Sequence, residues 1–197
     1  MFACTGVGMT TLMWMTPEER TFLLERLHKS EARLLALGEG LTAGQWTFRE
    51  SADRWSIAEN FEHLVLFERF IRGVVAKILA APAEPEKAAV VAAKHEAVMG
   101  LAAVGERKLQ ARQIVRPVGG INDAAAGREA FRSERAETIA FAGDVHGNLR
   151  EHFFAHLSLG DLDAYQWLLV IAQHSDRHAA QITKLMSDAR FPHTARR

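Results

Sequence analysis

The sequence predicts an all-α protein, namely a four-helix bundle with one additional connecting helix. Three observations point to this fold class: apolar residues recur at steps of three and four, helix-start patterns precede them, and alternating runs typical of β-strands are nearly absent. The 197 residues, of which 48% are hydrophobic, suit one large domain with a substantial core. We place the bundle at residues 16–190, between a disordered N-terminal extension (1–15) and a C-terminal tail (191–197).

The first predicted helix begins after Thr16. Pro17 takes the first helical position, and Glu18 and Glu19 follow in the turn where the helix dipole favours negative charge. Its inward stripe consists of Leu23, Leu27, Leu34 and Leu37, and Gly38 and Gly40 end it.

An aromatic connector, residues 41–55, leads to the second helix. It contains Trp46, Phe48 and Trp55, and aromatic residues this dense predict a segment that lies across the bundle. The second helix begins with a Ser-x-x-Glu capping box at Ser56. Two adjacent apolar rows predict that this helix is deeply buried: Ile57, Phe61, Leu64, Ile71, Val75 and Ile78 in one row, and His63, Phe67, Phe70 and Val74 in the other.

The remaining elements are less uniform. Pro82 and Pro85 break the chain, and the Ala-rich residues 86–104 predict a weakly patterned helix. Residues 112–127, rich in glycine, predict a long loop that is a candidate pocket wall. Two helices follow. One covers about 128–149 with Phe131, Thr138, Phe141 and Val145 inward, and the final one begins near Asp161 or Asp163 and ends by Arg190.

Composition excludes several classes of protein. The formal net charge is zero, so the electrostatic footprint of a nucleic-acid-binding protein is missing. No apolar run approaches the roughly 20 residues that span a bilayer, and the N-terminus has no basic region or cleavage site of a signal peptide. The single cysteine, Cys4, excludes a disulfide framework. We therefore expect a cytoplasmic protein without membrane or nucleic-acid partners.

Two histidines one helical turn apart, His174 and His178, are the most informative feature of the chain. They belong to the inward stripe of the final helix, which consists of Trp167, Ile171, His174, His178, Ile182 and Leu185. At this spacing both imidazoles project from the same side and can reach one ion. The pair therefore predicts a metal site, with core histidines bonded to neighbouring side chains as the alternative.

A third ligand is predicted at His63, the only other histidine on a strongly buried helical arc. Three histidines leave a zinc-like ion one open position for water or substrate, as in catalytic rather than structural sites. The pattern is not His-Glu-x-x-His, because Ser175 follows His174. The metalloprotease interpretation is therefore excluded.

Other candidates have simpler explanations. His152 and His156 have the same spacing of four but precede a Leu-Gly turn, so we interpret them as helix-end and packing residues. Glu59, one turn before His63, is explained by its capping box, although it could ligate or accept a proton. Gln181 is close enough in helical phase to orient His178.

These residues resemble the DinB-like superfamily. The similarity is carried by Trp55 to Glu59 leading to His63-Leu64, and by Gly160, Gln166 to Leu168, His174 to His178 and Gln181-Ile182, and it covers roughly residues 17–189. It implies a four-helix bundle with a connecting helix, and a divalent metal, zinc or nickel, held by His63, His174 and His178. One departure concerns the turn before the last helix, where relatives often have His-Pro and this chain has His156-Leu157.

The resemblance also implies a function. Characterised relatives include thiol-dependent transferases and isomerases that use low-molecular-weight thiols. We therefore expect a metal-dependent S-transferase, isomerase or hydrolase that acts on a small molecule. With its only cysteine at Cys4, the chain would take any thiol from a cosubstrate. The alternative is a non-catalytic bundle in which a fourth ligand, Glu59 or His156, completes a structural site. The resemblance and the apolar connector also predict a homodimer.

Overall fold

A computed structural model describes residues 15–103 and 111–192, and its architecture confirms the predicted all-α class. Four long helices form the bundle: α1 (Pro17–Leu37), α3 (Ile57–Leu79), α6 (Ala124–Asp144) and α7 (Ala164–Met186). Three short helices connect them: α2 (Ala43–Thr47), α4 (Ala88–Ala92) and α5 (His95–Met99). A hairpin of β1 (Phe153–His156) and β2 (Gly160–Asp163) precedes α7.

Each long helix packs against two of the other three. α1 contacts α6 and α7, and α3 contacts the same two helices. The core has two apolar clusters, one that includes Leu23, Ile71 and Ile171 and one that includes Leu34, Phe61 and Ile182. α1 and α7 run from the first cluster to the second, whereas α3 and α6 run the opposite way. α3 and α7, which carry the predicted ligands, are therefore antiparallel neighbours.

The predicted starts of three long helices are confirmed. Reciprocal capping boxes join Thr16 to Glu19 at α1, and Ser56 to Glu59 at α3. Asp163 caps α7 in the same way, with Gln166 as its partner. Each box satisfies backbone N–H groups that have no acceptor within the helix, which fixes where the helix begins.

Three predicted elements are wrong in extent or kind. The predicted helix over 86–104 is broken into α4, α5 and short 3₁₀ turns. Of its described residues, 86–103, only Val91 and Val98 are buried, and Lys94 donates to the carbonyls of Leu159 and Asp161. The helix predicted over 128–149 runs from 124 to 144. It starts earlier because the Asp123 carboxylate accepts the Ala126 N–H. The predicted loop correspondingly ends at residue 123.

The hairpin is the element that sequence reasoning missed. Phe153 pairs with Asp163 and His156 with Gly160, and Gly160 adopts a φ of 67°, which favours glycine. His156 is therefore a strand residue and His152 lies just before the strand, so their interpretation as helix-end residues is wrong. Four-residue strands are too short for the alternating pattern to stand out.

The aromatic connector lies against the bundle, as predicted. Trp46 is fully buried with its ring centroid 5.0 Å from that of Phe61, and Phe48 contacts Phe191. Met15 and Phe191 are both buried, so the packed part of the chain extends beyond residues 16–190 at each end. The rest of the predicted extension and tail lies outside the described residues. No helix in the described part of the chain has the length and apolar character needed to cross a membrane.

Candidate metal centre

The three predicted histidines converge on one point between α3 and α7. The Nε2 atom of His174 lies 2.8 Å from Nε2 of His63 and 3.2 Å from Nε2 of His178. His63 and His178 are buried, and His174 is partly exposed. Residues more than a hundred positions apart meet here because the two helices that carry them are neighbours. The group could hold a metal ion.

The backbone of the loop before α6 orients His63. Its Nδ1 lies 2.6 Å from the carbonyl oxygen of Val115. A carbonyl only accepts, so Nδ1 carries the proton and Nε2 presents a lone pair. Glu62, the neighbouring residue on α3, holds the same loop: its carboxylate accepts the backbone N–H groups of Val118, Gly119 and Gly120 at 3.0–3.1 Å.

Asn60 orients His178, and the prediction that Gln181 does so is wrong. The Asn60 Oδ1 lies 2.6 Å from His178 Nδ1, while its Nδ2 donates to the Ser56 carbonyl at 2.7 Å. The second bond fixes which end of the amide faces the imidazole. Nδ1 of His178 therefore donates, and its Nε2 also presents a lone pair. Asn60 carries no sequence pattern that would have singled it out.

This donor set suits a cation. The lone pairs of His63 and His178 both face Nε2 of His174, which as a neutral ring can offer a proton to only one of them. At least one of these two lone pairs is thus left without a hydrogen-bond donor, and a shared positive ion would satisfy both. A tetrahedral ion with nitrogen ligands at about 2.0–2.1 Å would place them roughly 3.3 Å apart, close to the spacing observed.

Burial favours the neutral form of all three imidazoles. Desolvation lowers the pKa of His63 from 6.5 to about 4, despite its hydrogen bond to Val115. The pKa values of His174 and His178 also lie well below the usual range, chiefly because of burial and further because of neighbouring histidines and the charge of Arg177. Neutral imidazole is the form that binds metal.

Aromatic rings surround the nitrogens. The ring of Trp55 lies 4.7 Å from that of His63, and the ring of Phe67 stacks on His174 at 3.9 Å. Such contacts restrict the rotamers that the imidazoles can adopt.

A cavity of about 730 Å³ opens over the three histidines. Its apolar side includes Phe67, Phe70 and Trp167, and the loop carrying Val115 forms another wall. The predicted role of that loop as a pocket wall is confirmed. The volume is in the range of small-molecule sites.

The other candidate ligands do not join the cluster. Glu59 caps α3 and pairs with Arg49 at 2.6 Å. His156 lines the cavity with its ring against Trp167, and its Nδ1 accepts the Ser158 N–H. Among the residues the structure describes, the group of possible metal ligands contains the three histidines and no fourth member.

A comparison with protein families agrees with the geometry. The model of the DinB superfamily matches residues 26–182, a segment that includes all three histidines. The chain belongs to the DinB superfamily. Searches of curated proteins and of solved structures found no significant match.

Proposed function

We propose that this DinB-superfamily chain is a divalent-metal-dependent enzyme that acts on a small molecule. The observation that carries the proposal is the convergence of three imidazole nitrogens beneath a cavity, without a fourth ligand among the described residues. A site of this kind leaves one coordination position for a reactant. We favour zinc or nickel, because imidazole ligands suit both ions.

Each part of the site has a chemical role in this proposal. His63, His174 and His178 would hold the ion, while Val115 and Asn60 fix the tautomers of two of them. A bound divalent ion acts as a Lewis acid that lowers the pKa of a water molecule or thiol. The cavity positions the second reactant and its aromatic side excludes bulk water.

The specific reaction we favour is transfer or isomerisation that uses a thiol cosubstrate, with metal-dependent hydrolysis as the second possibility. Support for a thiol comes from family resemblance. The only cysteine of the chain is Cys4, outside the described residues, so the nucleophilic thiol would be a separate molecule.

A purely structural metal site is less well supported. Structural zinc is almost always held by four protein ligands. The two candidates for a fourth ligand, Glu59 and His156, do not belong to the convergent group.

Metal content and thiol consumption test the proposal in that order. Protein purified without chelators should contain about one divalent ion per chain, and His174→Ala or His178→Ala should abolish its binding. The loaded protein should consume glutathione or a related thiol in the presence of electrophiles, unlike the His178→Ala variant. Absence of metal, together with failure to bind added zinc or nickel, would overturn the proposal.

We also propose that the chain forms a homodimer, which here rests on family resemblance. The aromatic connector no longer supports it, since Trp46 is buried within the chain and Phe48 contacts Phe191. Sedimentation at micromolar concentration should show twice the 21.9 kDa of the monomer. A single monomeric species would overturn the dimer.

A further inference from the structure

The cavity over the three histidines has an excess of positive charge. Its lining includes five cationic side chains (Arg54, Arg112, Arg116, Arg177 and Lys184) and three anionic ones (Glu50, Asp53 and Glu59). Glu50 pairs with Arg54 at 2.9 Å and Glu59 with Arg49 at 2.6 Å, and Asp53 also has an interaction partner. The cavity as a whole therefore favours an anion.

The histidine ligands add to this excess. Neutral imidazoles, unlike thiolates or carboxylates, leave the charge of a bound divalent ion uncompensated. Arg177, partly buried on α7, extends its own positive field to His174 and His178. A ligand that brings negative charge into this cavity would relieve the repulsion between these centres.

Arg112 and His156 form a second polar feature of the cavity wall. The guanidinium of Arg112 lies 5.3 Å over the ring of Phe154. Burial of the His156 imidazole, and further the charge of Arg112, lower the pKa of His156 and favour its neutral form. Because His156 Nδ1 accepts the Ser158 N–H at 3.2 Å, its Nε2 carries the proton and can donate.

Part of the cavity wall is apolar. Phe67, which stacks on His174, and Phe70, whose ring contacts that of Phe154, line the cavity together with Trp167, whose ring contacts that of His156. An aliphatic or aromatic body would bury its surface there, which favours binding in proportion to the apolar area removed from water. The cavity thus combines the cationic side chain of Arg112, an apolar wall and the three histidines.

We propose that the substrate of this site is a small organic carboxylate with an apolar body. Its carboxylate binds Arg112 and the Nε2–H of His156, its body packs against Phe67, Phe70 and Trp167, and its reacting part lies at the histidines. This inference rests on the proposed function, because it assumes that a ligand occupies the cavity beside a bound metal ion.

The test compares two probes of equal shape on cobalt-loaded protein. 3-Phenylpropionate and 3-phenylpropionamide differ in charge and little else, and their affinities are measured by calorimetry. We expect the carboxylate to bind at least about tenfold more tightly, because charge-assisted hydrogen bonds are stronger than neutral ones. Arg112→Gln should lower the affinity for the carboxylate about three- to fivefold, as expected for a partly solvated ion pair, and should leave the affinity for the amide unchanged.

Two further variants separate charge from shape. Arg112→Lys keeps the charge and should retain most of the preference for the carboxylate. Arg132→Gln is the matched control, since Arg132 is exposed on α6, pairs with Glu129 and does not line the cavity. It should leave both affinities unchanged.

The outcomes distinguish the two proposals. If the protein takes up no metal, both fail. If it binds cobalt but does not prefer the carboxylate to the amide, the substrate inference fails and the metal site stands. If the preference exists but Arg112→Gln leaves it intact, the assignment of the carboxylate to Arg112 and His156 is wrong.

Discussion

Two buried polar clusters include residues of α3 and α7, and they differ in how far their hydrogen-bonding groups have partners within the protein. The first is the three-histidine cluster, which opens into the cavity. The second is centred on Glu68 and Arg135, whose side chains are fully buried between the two apolar clusters of the core. Ser175, the residue after His174, belongs to the second cluster, so the two are direct neighbours.

The Glu68–Arg135 cluster is complete in itself. All five N–H donors of Arg135 have acceptors: Nε and Nη2 bind Glu68, Nη2 also binds Ser175, and Nη1 binds Ser30 and the Leu27 carbonyl. Thr138 donates to the free side of the Glu68 carboxylate at 2.7 Å. Positive and negative charge cancel, and residues from all four long helices take part.

The histidine cluster, by contrast, has a nitrogen lone pair without a donor, and an added cation could complete it. Two of its three outward Nδ1 atoms are satisfied, by Val115 and Asn60, while the inner Nε2 atoms face one another. The neighbouring clusters teach that buried polarity in this bundle has two uses. The Glu68–Arg135 cluster joins the four long helices, whereas the histidine cluster leaves nitrogen atoms that could bind an ion from solution.

The largest expected effect of any substitution comes from breaking the complete cluster. Arg135→Met leaves the Glu68 carboxylate buried without its partner, which should lower the free energy of unfolding by about 3–5 kcal/mol. Urea denaturation monitored by circular dichroism measures the change. Arg132→Met, on the exposed face of α6, should change it by less than about 0.5 kcal/mol.

A double replacement sharpens this result. Glu68→Leu combined with Arg135→Met removes both charges, so the bundle should recover most of the lost stability. Ser30 and Thr138 keep other acceptors, the carbonyls of Leu27 and Glu134. If the double variant is as unstable as Arg135→Met, the loss of stability does not come from the unpaired charge of Glu68, and the ion pair and its hydrogen bonds stabilise the bundle themselves.

The contrast also explains what the sequence could predict. His174, His178 and His63 were recognisable because histidine on an apolar stripe is unusual and its spacing fits one ion. Capping boxes at Ser56 and Thr16 identified helix starts for a similar reason, since both residues of the box are visible within four positions.

Glu68 and Arg135 could not be recognised in the same way. They are 67 residues apart, and a charged residue in a helix is ordinarily solvated, so neither looks buried until the helices are packed. Asn60 and Glu62 could not be recognised because their partners are distant in sequence. Asn60 binds the ring of His178, and Glu62 binds the backbone of the loop before α6. Contacts of this kind depend on three-dimensional arrangement and leave no local pattern.

The second prediction tests the incomplete cluster. His63→Ala leaves only two imidazoles, so metal affinity should fall at least about 10–100-fold. Helical content should be unchanged, and the metal-free variant should lose only about 1–2 kcal/mol of stability, because the fold rests on the apolar clusters. Metal titration by calorimetry and urea denaturation give the two quantities.

His152→Ala and His156→Ala are the controls for this experiment. Neither residue belongs to the convergent group, so both variants should bind metal normally. Normal binding by His63→Ala, with loss in either control, would show that the third ligand is another histidine.

A smaller effect is expected at Asn60, whose side chain orients His178. Asn60→Ala removes the acceptor that holds the proton on His178 Nδ1, and metal affinity should fall about tenfold. Asn60→Asp retains an acceptor at this position and should keep more affinity than Asn60→Ala. Equal losses in the two variants would show that Asn60 acts through its contact with Ser56 instead.

The smallest effect is expected at Glu62, which acts on His63 only through the loop that carries Val115. Its carboxylate holds three successive N–H groups of the loop whose Val115 carbonyl orients His63. Glu62→Gln places an amide NH₂ against one of those donors, so the loop should loosen and metal affinity fall by about threefold to tenfold. Hydrogen exchange at Val118 to Gly120 should accelerate in parallel. Glu137→Gln, on the exposed face of α6, should change neither quantity. Faster exchange with unaltered metal affinity would mean that His63 keeps its orientation without the loop, and that the aromatic contacts of Trp55 and Phe67 are sufficient to hold it.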